Sequence, residues 1–157
     1  MNDHDLGRVE FNRWLMVGIG SPHGNDRLGW DLSQLLAGQL PAPWAIRQAR
    51  VPTDLLDWMQ GCERLHLLDA CPVVQEVGRV HRLEWPDARI LQARTVTSHD
   101  YDVPQVLQLA ERLGQLPVQV VVWAIEVDSD VDLVPIPSWM VAAACLIRND
   151  VLLEETV

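Results

Sequence analysis

A strand with one buried face alternates apolar and polar residues, and residues 65–70 (LHLLDA) do not alternate. Apart from His66 the run is apolar on both sides, the pattern of a central parallel strand with helices packed on both faces. Residues 118–125 read as a second buried strand and residues 13–20 as another. Between them lie segments with apolar residues at helical spacing. Residues 26–40 place Leu28, Leu32, Leu35 and Leu36 on one face before Pro41 and Pro43 stop the helix. Residues 44–50 form a strand, and Thr53 caps a short helix running to position 60 with Leu55, Leu56 and Met59 on one side. Residues 78–85 read as an edge strand. Residues 101–113 form a helix with Val103, Val106, Leu107, Ala110 and Leu113 facing inward, and residues 137–153 close the chain as a helix with proline in its first turn.

This order predicts a three-layer α/β/α sandwich around a mostly parallel five-stranded sheet with one antiparallel strand. One domain is expected over residues 1–157, with 1–12 as a flexible lead, and the length suffices to bury roughly two thirds of the unfolded surface. If the first strand lies between the second and third, the carboxyl ends of strands one and three flank the crevice where open α/β sheets bind ligands. The seven tryptophans fall in predicted elements and are expected mostly in the core, with Trp30 a candidate to line a peptide groove.

The net charge of −10, with twelve arginines and no lysine, lacks the clustered basic footprint that nucleic acid requires. The apolar runs are too short to span a membrane, and the first residues lack the basic and apolar regions of a secretion signal, so a cytoplasmic protein is expected. Cys62, Cys71 and Cys145 show no CxxC spacing and read as reduced, mostly buried thiols.

The chemistry concentrates in LMVGIGSPHGNDRLGW, residues 15–30. An apolar strand enters a glycine turn in which Gly18 and Gly20 allow close backbone approach to a ligand or partner. Such a turn resembles a nucleotide loop, with Gly18, Gly20 and Gly24 facing phosphate and Arg47 or Arg50 near the end of strand two reading a 2′-phosphate. Asp26 argues otherwise, because it stands where helix dipoles would favour an anion, and its charge suits a cation. Asp69 ends the third strand and would meet Asp26 at the crevice. His99, in Thr97-Ser98-His99-Asp100 ahead of a helix, could reach the same rim. Each has a plain alternative: Asp26 as a helix cap, Asp69 as a turn cap before Pro72, and His99 as a solvated loop residue. Together two carboxylates and an imidazole supply the donors of a nickel or zinc site, with His23 a possible fourth.

These residues carry a family resemblance. The chain resembles the nickel-iron hydrogenase maturation endopeptidases: GIGSPHGNDRLGW is similar to their first region of the form GxGNxxxxDDGxGW, with Asp26 on the second acid. LHLLDACPV with Asp69 is similar to their apolar strand ending in Asp-Ala, and Ser98-His99 to their Ser-His pair before a helix. The likeness runs from residue 13 to about 150. Three features depart from the pattern: Ser21 replaces the family asparagine, Asn25 replaces the first acid of the pair, and ARVPTDLL and VDSDVDLVP replace glycine-bearing segments.

The resemblance implies an endopeptidase that removes the C-terminal extension of a hydrogenase large-subunit precursor after nickel insertion. It further implies that Asp26, Asp69 and His99 engage nickel presented by that precursor, with no organic cofactor. The expected partner is the precursor alone, neither nucleic acid nor membrane, and the expected state a monomer. A metal near the scissile carbonyl would polarise it and lower the pKa of a bound water, with Asp26 or Asp69 ligating or accepting a proton. Cys71 lacks a local histidine partner for thiol catalysis. The rival readings are a non-catalytic binding module or chaperone in hydrogenase assembly, and a nucleotide-binding enzyme.

Overall fold

The computed structural model describes residues 13–21, 24–91, 102–128 and 131–156. Its elements follow the order β1 (Trp14–Ile19), α1 (Leu28–Leu36), β2 (Trp44–Ala49), α2 (Asp54–Met59), β3 (Arg64–Cys71), β4 (Val80–Glu84), α3 (Ala88–Leu91), α4 (Val103–Arg112), β5 (Gln119–Glu126) and α5 (Ser138–Glu154). The strands form one sheet in the order β2-β1-β3-β5-β4. All neighbours are parallel except β4, which pairs antiparallel with β5 at the edge. The expected architecture is therefore present.

Both faces of the sheet are covered, which is why its strands lack alternation. Leu15, Val17, Leu65, Leu67, Val120 and Val122 pack against α2, α3 and α4, while Met16, Leu68, Val121, Trp123 and Ile125 pack against α1 and α5. His66 is fully buried, and its Nδ1 accepts a hydrogen bond from Trp123 Nε1 at 3.1 Å. Burial, helped by the charges of Arg82 and Arg64, lowers its pKa to about 3, so the imidazole is neutral. The lone polar residue of that strand is a core histidine. At the far edge Arg82 ties β4 to α5 through Asp150 and Glu154.

Several local readings need correction. The helix expected over 26–40 is shorter: a 3-10 turn occupies Gly24–Arg27, α1 starts at Leu28, and it stops at Leu36, just before Gly38 adopts a φ of 76°. Thr53 stands at the N-cap of α2 but makes no capping bond. Instead Asp54 Oδ2 accepts from the backbone N–H groups of Arg50 and Val51. Helix α4 is capped by Asp102 and Gln105 in a reciprocal capping box, and Leu113 lies beyond its end, exposed rather than inward. Of the seven tryptophans only Trp123 is buried; the other six are half-buried, since a large indole at the end of an element leaves an edge in water. Cys62 is buried, but Cys71 and Cys145 are partly exposed, and all three are free thiols. The lead expected at 1–12 lies outside the described residues, and no described helix is long and apolar enough to cross a membrane.

Candidate active site at the carboxyl ends of β1 and β3

The chain leaves β1 through α1 on one side of the sheet and reaches β5 through α4 on the other, so β1 and β3 border the topological switch point. Helix α1 lies hard across this end. A Cβ on Gly18 would sit 2.0 Å from the Gly29 carbonyl oxygen, and one on Gly29 would sit 2.2 Å from Ile19 O and 2.7 Å from Leu68 O. The first turn of α1 thus touches the backbones of both strands. The glycines provide helix-to-strand packing, and the space expected for a ligand is filled by α1 itself.

The same closeness places Asp26. Ser21 N donates to the Asp26 carbonyl at 3.0 Å, and a Cβ on Gly20 would stand 2.0 Å from that oxygen. The turn after β1 therefore closes on itself with Asp26 above Gly20. Asp26 is exposed and caps nothing: α1 has Arg27 at its N-cap with no side-chain capping bond, and the Asp26 carboxylate accepts from Ser21 Oγ at 3.4 Å. Ser21, a departure from the resembled pattern, here steadies the acid. Trp30 is half-buried beside this turn, its indole N–H donating to Ala49 O at the end of β2 at 3.0 Å.

Asp69 lies on β3 within a strand that continues to Cys71, one residue further than expected. It is partly buried, and its Oδ1 accepts from the N–H of the next residue, Ala70, at 2.9 Å, so among the described residues it caps no helix or later turn. Its pKa is raised to about 7 by burial, against a lowering by the Ala70 N–H, and the charge of Asp26 adds a last and smallest upward push. The two acids, distant in sequence, therefore sense each other at one end of the sheet. A carboxyl group that titrates near neutrality is suited to proton transfer, and two carboxylates at one end of the sheet favour a cation there.

Alternation along β3 turns Asp69 toward the side occupied by α2 and α4, the side of Leu65 and Leu67. Helix α4 runs back toward the start of β5, so its first residues lie at the carboxyl end of the strands. His99 precedes that start by a few residues but lies outside the described residues, as does His23. Among the described residues no three His, Cys, Asp or Glu side chains form a metal-binding group.

Cys71 shares the side of Asp69, and its thiol is pushed up to about 11 by burial and by the charges of Glu126 and Asp69. A protonated thiol is a poor nucleophile. Glu126 was not singled out by the sequence reading. It is almost fully buried at the end of β5, where Oε2 accepts from the N–H groups of Val74, Gln75 and Glu76 and Oε1 meets His81 Nε2 at 2.8 Å. These bonds, the His81 contact foremost, hold its pKa down to about 2. They fix the turn that follows β3, next to Asp69. The only trace in sequence is an acid ending the apolar run VVVWAIE.

A sequence model of the hydrogenase maturation proteases, HycI, matches residues 50–139, more than half of the chain. The chain belongs to the hydrogenase maturation protease family. It is therefore an endopeptidase of hydrogenase maturation. The matched region contains Asp69 and position 99 but stops short of Asp26. Solved structures agree over nearly the whole chain. The hydrogenase 2 maturation peptidase of Thaumarchaeota archaeon SCGC_AB-539-E09 is 25% identical, with 89% of this chain and 95% of that chain covered and a TM-score of 0.60. The maturating endopeptidase HybD of E. coli is 20% identical, with 90% and 91% covered and a TM-score of 0.66. The HycI protease of Thermococcus kodakarensis shares the fold at 13% identity, with 91% and 92% covered and a TM-score of 0.59. No curated protein matches the sequence.

Proposed function

We propose that this protease removes the C-terminal extension of a nickel-iron hydrogenase large-subunit precursor once nickel is in place, with Asp26, Asp69 and His99 engaging the nickel that the precursor carries. The reading rests above all on Asp69, a partly buried acid at the switch point whose pKa is raised to about 7 by burial and by Asp26. Two carboxylates and an imidazole are the hard and borderline donors that such a metal accepts. The nickel, as part of the substrate, would polarise the scissile carbonyl. Asp69 or Asp26 accepts a proton from the attacking water, whose oxygen bonds the carbonyl carbon. The C–N bond then breaks and the proton passes to the departing amine. We assign the work to one domain acting as a cytoplasmic monomer, with no organic cofactor.

The nucleotide alternative loses its footing, because Gly18 and Gly20 are occupied by close contact with Gly29 and Asp26. The test is incubation with nickel-loaded and nickel-free precursor, followed by measurement of precursor mass. Loss of the C-terminal extension from the nickel-loaded form alone is the expected result. Tight binding with no loss from either form would make the protein an assembly chaperone.

A further inference from the structure

Asp31 is a buried acid that the proposed chemistry does not use and that, unlike Glu126, is poorly satisfied. It sits in α1 beside Leu28, Leu32 and Leu36, with its side chain 4% exposed. Its Oδ1 accepts from Arg27 Nη2 at 3.3 Å, one helical turn back, while its Oδ2 has no hydrogen-bond partner among the described residues. A buried carboxylate with an unsatisfied oxygen destabilises a fold, and a leucine at this position would cost nothing of the kind.

The effect of Asp31 falls on Arg27, which directly follows Asp26. Two arginines of this chain do take acids close in sequence: Arg89 pairs with Asp87, and Arg82 with Glu84 among its partners. Arg27 instead reaches along the helix to Asp31, and among the described residues Asp26 forms no salt bridge. A guanidinium on Asp26 would fill the carboxylate oxygens and set a positive charge where a cation must enter.

We propose that Asp31 is a positioning residue that draws the Arg27 guanidinium back along α1 and so keeps Asp26 open to the precursor's nickel. This rests on the assignment of Asp26 to the nickel site.

The test compares Asp31→Asn, Arg27→Gln and the double variant. A crystal structure of Asp31→Asn should place the Arg27 guanidinium within hydrogen-bonding distance of Asp26. On nickel-loaded precursor, KM should rise about fivefold or more with little change in kcat, and adding Arg27→Gln should return KM to the parent value while Arg27→Gln alone leaves it unchanged or lower. Should Asp31→Asn fail to fold, Asp31→Ser releases the same arginine, because serine in a helix can satisfy itself on a backbone carbonyl. An Arg27 side chain that stays away from Asp26, or a KM that the second substitution does not restore, overturns the proposal. Asp26→Asn is the control: if it cleaves normally, the nickel-site assignment has failed, whereas if it is impaired and Asp31→Asn is not, only the role of Asp31 has.

Discussion

Asp69 makes the stability of the fold depend on pH. Its folded pKa, about 7, lies above the usual carboxylate value of 3.8, so between those two pH values the folded state holds a proton that the unfolded chain has released. Stability contributed by this proton is therefore present in full below about pH 4 and is lost as pH rises toward 7. Asp69→Asn removes the group. Thermal melting should show the variant more stable than the parent by about 2 kcal/mol at pH 8, and nearly equal to it at pH 4. An equal difference at both pH values would mean that Asp69 ionises without hindrance. At this scale the residue types were readable in sequence but their environments were not. Asp26 looked like a cap until the 3-10 turn separated it from α1, and neither the pull of Asp31 on Arg27 nor the grip of Glu126 on the 74–76 turn leaves more than a stray acid in an apolar pattern.

Helix α1 depends on backbone contact more than on side chains at its first turn. In an ordinary helix Gly→Ala stabilises by about 1 kcal/mol. At Gly29 the new Cβ would meet two strand carbonyls, Ile19 O at 2.2 Å and Leu68 O at 2.7 Å, and backbone cannot step aside as a flexible side chain can. Gly29→Ala should therefore cost about 3 kcal/mol or more in denaturant unfolding. Gly114→Ala, at a φ of 68° with open space around it, should cost only about 1 kcal/mol. Equal losses would show that α1 can lift off the sheet without penalty. Periodicity located every strand and long helix because burial on two faces erases alternation, but it misjudged ends. Leu40 and Leu113 continue an apolar pattern past the ends of α1 at Leu36 and α4 at Arg112, where Gly38 and Gly114 turn the backbone. The short α3 has too few residues to show a period.

The whole molecule brings together acids that sequence keeps apart. Placing β1 between β2 and β3 makes neighbours of Gly18 and Leu68 and so carries the turn after β1 to the strand bearing Asp69. In the sequence that arrangement entered only as a condition on the strand order, and the orientation of α1 over the strand ends depended on glycine contacts that no spacing encodes. The local electrostatics single out Asp69, which the proposed function places at the nickel. The most direct measurement is the rate at which Asp69→Asn cleaves nickel-loaded precursor, read by loss of the precursor's C-terminal mass beside a melting curve of the same sample. A fall of roughly 10²-fold or more with undiminished thermal stability is predicted. Cleavage within a few-fold of the parent would contradict the assignment of Asp69 to the nickel site.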